Sequence, residues 1–386
     1  MGAWVWLRAL RGDSSPQGQE AWRHHHPPHA GKGRGSPGVR WCLAKALASI
    51  PKRMRTNLVG AAFLLWMGCD SSPLPPGPDD TPSLHQVTRV EAIRGVELEV
   101  LDYGGKGPAL MFLAGMGSTA HIFDELALEF RDTHHVYALT RRGYGASDWP
   151  DTGYDTATLA MDVLGTLDTL GLSKASFAGH SLAGDELTWL ALHHPERVEA
   201  LVYLDATDSR GEIAAFLEGE QLPPLPFSVL DGLPSRQAVA ERLAQDLGGG
   251  LPAHEVEQAY VFDAATGAYL RERRHPGATE QSVRGAAIMD LGRVQGPVLS
   301  LSDGQGFAGW VEALVAAESL PLEFREKARD FLPDIQQHET ALEDSLRRHP
   351  GWRHLQLEGA GHYIWLTNRA EVVTRMRDFF AATAAP

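Results

Sequence analysis

The sequence has 386 residues, of which 43% are hydrophobic and 22% charged, a composition typical of a globular protein with one large α/β domain or two smaller ones. Its formal net charge of −14 at pH 7 is uneven: residues 1–53 carry nine Lys and Arg against two Asp and Glu, whereas residues 54–386 carry 26 against 47. Binding to a phosphate backbone requires a basic surface, so this acidic body predicts no nucleic-acid partner.

The first 53 residues are not expected to belong to the fold. Residues 11–40 are rich in Gly, Pro, His, Arg and Ser and have no hydrophobic period. The run "HHHPPH" at 24–29 has a composition that can bind metal, but no second ligand cluster accompanies it, so we predict an unstructured tract and no metal site. The best export signal begins at Met54, so residues 1–53 are interpreted as a disordered or misassigned upstream extension.

Residues 54–69 have the pattern of an export signal. The basic segment at 52–55 precedes an apolar stretch at 58–67, which is too short to span a membrane as a helix. With Cys69 following a glycine, "KRMRTNLVGAAFLLWMGCDSSP" resembles a bacterial lipoprotein signal, although Trp66 stands where that family usually has Leu. The resemblance implies lipidation of Cys69 and attachment to a bacterial membrane through this anchor alone. The alternatives are an ordinary secretory signal, giving a periplasmic or secreted protein, and a buried apolar helix.

Residues 70–86 form a linker rich in Pro, Ser and Asp, and a domain at 87–386 follows. Both cysteines, Cys42 and Cys69, precede that domain, so its core has no disulfide framework. Within it, strand-like and helix-like segments alternate, which predicts a largely parallel sheet covered by helices. The predicted strands are a hairpin around Gly95 and buried runs at 109–115, 134–140, 174–180, 198–206, 296–302 and 353–359. The predicted helices cover 120–130, 156–172, 182–195, 307–348 and 368–382, and residues 207–290 interrupt the alternation as an inserted helical lid.

Ser181 lies where a buried strand gives way to a helix, in the stretch "SFAGHSLAGDEL". This is the setting of a nucleophile elbow, in which the serine takes a strained conformation and its neighbours must be small. Gly179 meets that demand, and Ala183 meets it less well than the glycine of a strict motif. A strict motif has glycine two residues after the serine, whereas the first glycine after Ser181 is Gly184, one position later. The alternative is a serine that caps a buried helix.

A nucleophilic serine needs a base and an oxyanion site. His362 follows the last predicted strand in "GAGHYIWL" and comes after the serine in the chain, the order expected of this arrangement. The backbone N–H of Leu182, at the start of a helix, is one predicted oxyanion donor. The other is the N–H of Met116 in the loop "LAGMGSTA" after the third strand.

Taken together, the motifs "LAGMGSTAHIF", "RRGYGASD", "GHSLAG" and "GAGHYIWL" resemble those of the α/β-hydrolase superfamily, in the right order and over residues 87–386. The resemblance implies a mostly parallel eight-stranded sheet flanked by helices, a Ser–acid–His triad and no cofactor. Two polar pairs near the motifs have both a structural and a functional interpretation. Asp185 and Glu186 are expected to be structural partners, and Arg141 and Arg142 to form ion pairs under their loop rather than an anion site.

The acid of the triad is left open by the sequence. In the superfamily it usually follows the seventh strand, where Asp303 stands. The end of the sixth strand is the family's other option, and there Asp205 follows an apolar run directly. We favour Asp205, with Asp303 as the alternative and others, including Asp208, behind them.

The resemblance and the residues lead to a serine hydrolase acting on a small-molecule ester or related acyl substrate, with carboxylesterase chemistry expected first. Amide, lactone or carbon–carbon hydrolysis would use the same groups, and the fold does not choose among them. Opening a halide or epoxide in this fold would need aspartate at position 181. The rival hypothesis is a non-catalytic ligand-binding protein that retains the fold. Oligomeric state has no signal in the sequence.

Overall fold

The computed structural model describes residues 84–383, except positions 94, 208–210, 212–229 and 319. The predicted extension, signal, Cys69 and nearly all of the linker lie outside the described residues. So do the alternative acid Asp208 and four apolar residues of the predicted lid, for which the sequence leaves open a substrate pocket or packing within the lid; they are Phe216, Leu222, Leu225 and Phe227.

Eight strands form one sheet in the order β1-β2-β4-β3-β5-β6-β9-β10. They are β1 (Gln86–Glu91), β2 (Glu97–Gly105), β3 (Ala109–Leu113), β4 (His135–Leu139), β5 (Ala175–His180), β6 (Val198–Leu204), β9 (Val298–Ser302) and β10 (Trp352–Gln356). The pairs β1–β2 and β2–β4 are antiparallel, and every other neighbouring pair is parallel. The predicted N-terminal hairpin and the mostly parallel eight-stranded sheet are therefore confirmed.

Helices cover both faces of the sheet. They are α1 (Asp124–Leu128), α2 (Thr156–Thr169), α3 (Ala183–His193), α4 (Arg236–Leu247), α5 (Ala253–Ala259), α6 (Ala278–Arg284), α7 (Gly306–Ala316), α8 (Leu322–Arg348), α9 (Ile364–Thr367) and α10 (Arg369–Thr383). The single helical region predicted at 307–348 is thus two helices, α7 and α8. Among the residues described, no helix combines the length and apolarity needed to cross a bilayer.

Strand β3 explains why the sheet is covered on both sides. All five of its residues are buried, and they alternate between two apolar clusters. Leu110 and Phe112 pack on the face that carries α10, whereas Met111 and Leu113 pack on the face that carries α2 and α3. Full burial of such a side chain contributes about 1.5–3 kcal/mol, so a continuous apolar strand requires helices on both faces.

The segment between β6 and β9 is the predicted insertion, and it is not wholly helical. Besides α4, α5 and α6 it contains a short antiparallel pair, β7 (Tyr260–Phe262) and β8 (Tyr269–Glu272). Aromatic residues flank a turn in which Gly267 has a φ of 77°, and this combination favours a hairpin over a helix. Sequence reasoning missed the hairpin because both strands are short and carry no buried run. The proposed role of the insertion as a lid stays a prediction.

Candidate active site

Ser181 occupies a sharp turn between β5 and α3. Strand β5 ends at His180 and α3 begins at Ala183, which leaves only two residues to reverse the chain. Ser181 accordingly has a φ of 50°, in the left-handed region that side chains other than glycine rarely adopt. Its backbone N–H donates to the carbonyl of Leu204 on β6 at 3.3 Å. This backbone matches the strained elbow that the sequence predicts.

Small residues let α3 approach the sheet, and Gly184 is the most constrained of them. A Cβ atom at Gly184 would lie 1.8 Å from the carbonyl oxygen of Ala206. A Cβ at Gly179 would lie 2.9 Å from a methyl group of Leu187 and 3.0 Å from Cβ of Ala183. Close packing against the sheet therefore requires glycine at position 184. The methyl group of Ala183 fits beside it.

Asp205 and His362 are hydrogen-bonded to each other. Nδ1 of His362 donates to Oδ2 of Asp205 at 2.6 Å. The Asp205 side chain is only 7% exposed, and its other carboxylate oxygen accepts from the backbone N–H of Asp303 at 2.9 Å. A carboxylate held in this way fixes the tautomer of the imidazole and stabilises its protonated form. Of the candidate acids that the structure describes, Asp205 is the one in hydrogen-bond contact with His362.

Asp303 lies beside this pair, but its carboxylate accepts hydrogen bonds from backbone N–H groups of its own loop. Oδ1 of Asp303 accepts from the backbone N–H of Gln305 at 2.7 Å and from that of Gly306 at 3.4 Å. Burial and the neighbouring charge of Asp205 raise the pKa of Asp303 to about 6. The side chain therefore has a structural task, and its backbone N–H supports the Asp205 carboxylate.

The loop that carries His362 is held from two sides. The His180 ring lies 4.6 Å from the His362 ring, centroid to centroid, and its Nε2 donates to the His362 carbonyl at 3.1 Å. On the other side, Gly361 N–H donates to Oγ1 of Thr367 at 3.2 Å. His180 was not predicted as a site residue, because its side chain is expected from the sequence to point into the surroundings of the sheet. Only the folded chain brings it to a loop 182 positions away.

The loop after β3 meets the elbow at Gly115. A Cβ atom there would lie 3.1 Å from Cβ of Ser181 and 2.5 Å from Nδ1 of His180, so only glycine fits. Met116 follows it and is buried, and Leu182 is the capping residue of α3. The two predicted oxyanion donors thus belong to the segments that adjoin Ser181 on either side.

A buried arginine connects this loop to the elbow helix. Nη2 of Arg141 donates to the carbonyl of Ala114 at 2.8 Å, and its Nε donates to Oε1 of Glu186 on α3 at 2.7 Å. Glu186 is fully buried, and burial raises the pKa of its carboxyl above the usual range in spite of the arginine. The structure therefore places the Arg141–Glu186 ion pair between the loop and the helix.

Arg142 makes a separate ion pair with α2. Its Nε and Nη2 donate to the carboxylate of Asp162 at 2.5 and 2.6 Å, and both side chains are buried. A bidentate contact of this kind fixes orientation as well as charge. Both arginines of the "RRGYG" motif are thus in buried ion pairs, as expected of a structural role.

Comparisons with known proteins agree with this architecture. Residues 108–246 match the family model described as the alpha/beta hydrolase fold. The chain is 29% identical over 168 residues to a 2-(acetamidomethylene)succinate hydrolase of Mesorhizobium japonicum, covering 44% of this chain and 55% of that protein. It is 33% identical over 115 residues to 3-oxoadipate enol-lactonase 2 of Acinetobacter baylyi, covering 30% and 43% of the two chains. The chain thus spans about half the length of the curated relatives it matches.

A solved structure extends the similarity over the whole fold. The crystal structure of an E-2-(acetamidomethylene)succinate hydrolase superposes with a TM-score of 0.56 and 24% identity, covering 77% of this chain and 99% of that one. The family match, the strand order and the turn at Ser181 are mutually consistent. The chain has the alpha/beta hydrolase fold, and its residues 108–246 match the model of that family.

Proposed function

We propose that the protein is a serine hydrolase that cleaves carboxylic esters through an acyl-enzyme on Ser181. The observation that carries the proposal is the 2.6 Å hydrogen bond between Asp205 and His362, in a molecule that also places Ser181 on a strained strand-to-helix turn. Nucleophile, base and acid come from three segments that are distant in sequence and adjacent at one edge of the sheet.

In this proposal each group has one role. Nδ1 of His362 is bound to Asp205, so Nε2 is the nitrogen that takes the Ser181 proton as Oγ attacks the ester carbonyl carbon. The backbone N–H groups of Leu182 and Met116 stabilise the negative charge on the carbonyl oxygen. His362 then returns the proton to the departing alcohol. Water, activated by the same histidine, releases the acid and restores Ser181.

The relatives support hydrolysis more strongly than any particular bond. One is named for hydrolysis of an acetamidomethylene succinate and another is named an enol-lactonase, so amides and lactones are natural competitors to open-chain esters. The substrate is best sought with a panel of p-nitrophenyl esters of increasing acyl length, together with lactones and an anilide. We expect esters to be turned over fastest. Preference for a lactone or anilide would retain the mechanism and change the substrate class.

The competing hypothesis is a binding protein that keeps the fold without turnover. The matched control is Ser181→Ala, which removes the nucleophile and leaves the small residues of the elbow in place. Loss of ester hydrolysis in Ser181→Ala supports the enzyme. Turnover that survives unchanged in Ser181→Ala would contradict the proposal that Ser181 is the nucleophile of an enzyme. Folded wild-type protein that turns over no compound of the panel would contradict it as well.

We also propose that the protein is exported and anchored to a bacterial membrane by lipid on Cys69. The proposal rests on the basic, apolar and Gly-Cys order of residues 52–69. Intact mass of protein from the membrane fraction tests it against Cys69→Ser. We expect acylated protein that begins at Cys69 in the wild type and no acylated species in the variant. A mature wild-type chain that retains residue 1 would contradict the proposal.

A further inference from the structure

Three histidines and one aspartate meet in a group that the proposed mechanism does not use. His85 immediately precedes β1, and His121 lies in the 3-10 turn Ala120–Phe123. Asp124 is the first residue of α1, and His254 lies on α5 of the insertion. Three separate segments of the chain therefore contribute to what we call the histidine cluster, because His121 and Asp124 lie three residues apart in one of them.

The spacing of the cluster suits a tetrahedral metal ion. Nε2 of His85 lies 3.2 Å from Oδ1 of Asp124, while Nδ1 of His254 and Nδ1 of His121 lie 2.8 and 3.6 Å from Oδ2. One ligand atom from each residue lies within 4.8 Å of all the others. Ligands bound at the Zn–N and Zn–O distances of proteins are about 3.3 Å apart around a tetrahedral centre. The three distances from Asp124 to the histidines, 2.8 to 3.6 Å, bracket that value.

His121 shows that the cluster favours positive charge. It is 4% exposed, and within the described part of the chain neither of its ring nitrogens makes a hydrogen bond. Its nearest charged neighbours are the carboxylates of Asp124 and Glu99, each at 3.6 Å. A divalent cation bound by the cluster would place positive charge beside these carboxylates.

The groups around the cluster are arranged as they are around metal-bound histidines. Such histidines usually donate their other ring N–H to a carboxylate, which fixes the ring orientation. Nε2 of His121 lies 3.6 Å from Oε1 of Glu99, beyond hydrogen-bond distance but on the side from which a carboxylate would support a metal-bound ring. Oε2 of Glu99 accepts from Oγ1 of Thr140 at 2.6 Å. The hydroxyl of Tyr103 donates to Oδ1 of Asp124 at 2.7 Å.

We propose that His85, His121, Asp124 and His254 bind one zinc ion as a structural site. Three imidazoles and a carboxylate are ligands that zinc prefers, and four protein ligands fill its usual coordination. The ion would attach α5 of the insertion to the turn after β3. Glu255 already makes this contact, because its Oε1 accepts from the backbone N–H of Thr119 at 3.0 Å. Zinc would therefore stabilise the insertion against the core.

The test compares zinc binding in the full-length chain with and without His254. All variants carry alanine at the N-terminal histidines, so that these do not bind the probe; they are His24, His25, His26 and His29. His254→Ala is the informative change because that side chain is 49% exposed, so its loss should leave the fold intact. The control is His194→Ala, a partly exposed histidine outside the cluster.

We expect one more zinc per chain, by elemental mass spectrometry, in the background and in His194→Ala than in His254→Ala. Zinc affinity should fall by more than the ~100-fold typical of losing a supporting residue around a metal. Added zinc should raise the melting temperature of the first two proteins and not of the third. Equal zinc content, or an equal thermal shift, in all three would overturn the proposal. Neither readout depends on ester hydrolysis, so this site and the serine site can fail independently.

Discussion

Ser181 and Asp205 have the same positive φ, and each directly follows one of two neighbouring strands. His180 pairs with Leu204 at the ends of β5 and β6, and the residue after each has a φ of about +50°. Among the residues described, these two are the only ones besides glycines with a positive φ. Such strain costs about 1–3 kcal/mol per residue and persists where the surroundings impose it. The strain thus coincides with the proposed nucleophile and acid.

The first prediction concerns the acid. Asp205→Asn should lower kcat by about 10⁴-fold, because an amide cannot hold His362 in the same tautomer. Asp303→Asn should change kcat less than tenfold, since the Asp303 contribution to Asp205 is a backbone N–H. Steady-state kinetics on the best ester distinguishes the two variants. The reverse ranking would mean that Asp303 is the acid.

The second prediction is a pH dependence of stability that belongs to Asp303. Its folded pKa of about 6 lies above the value of an unfolded aspartate, so between those values the folded state retains a proton that the unfolded state has lost. This group therefore makes the protein less stable as pH rises from about 4 to about 6. Asp303→Asn should remove that part of the slope in urea unfolding measured across this range. Parallel curves for wild type and variant would show that the carboxyl is not perturbed.

The third prediction concerns the elbow helix. Gly184→Ala should lower the free energy of unfolding by about 2 kcal/mol or more, because the new methyl group overlaps a backbone carbonyl that cannot rotate away. Gly250→Ala is the matched control, since a Cβ there meets nothing within 4 Å. Its effect should stay within about 1 kcal/mol. Equal effects in chemical denaturation would refute the packing argument for Gly184.

The fourth prediction separates positioning from general stability. Arg141→Lys keeps the charge but loses the guanidinium group, whose nitrogens donate to both Glu186 and the Ala114 carbonyl. The loop that carries Met116 should therefore be held less firmly. We expect kcat to fall about 10- to 100-fold with little change in KM. Arg142→Lys disturbs a buried ion pair with α2 instead and should leave kcat within about threefold. If both variants lose kcat equally, the effect is one of stability.

Most of the fold could be predicted because the pattern of apolar strands and amphipathic helices determines it. The run "ALMFL" of β3 can only be buried on both faces, which implies a parallel sheet covered by helices. The hairpin at 260–272 was not predicted, because two short, half-exposed strands show little hydrophobic periodicity. Ser181 and His362 could be identified because local motifs mark them.

The rest of the site depends on contacts between distant segments. Whether Asp205 or Asp303 reaches His362 is decided by a side-chain direction at the end of β6, which composition and spacing do not encode. The same holds for the contact of His180 with the His362 loop and for the identity of the partner in the expected ion pair of Arg141. The histidine cluster draws on three segments between positions 85 and 254, and of its members only His121 and Asp124 lie close together in the sequence.

Covalent labelling is the sharpest test of whether Ser181 is a nucleophile activated by His362. The full-length protein is treated with a fluorophosphonate at neutral pH, and the adduct is measured by intact mass. We predict one phosphonyl group per wild-type chain, none on Ser181→Ala, and labelling slowed by orders of magnitude in His362→Ala. No adduct on folded wild-type protein, or an equal adduct on Ser181→Ala, would contradict the account.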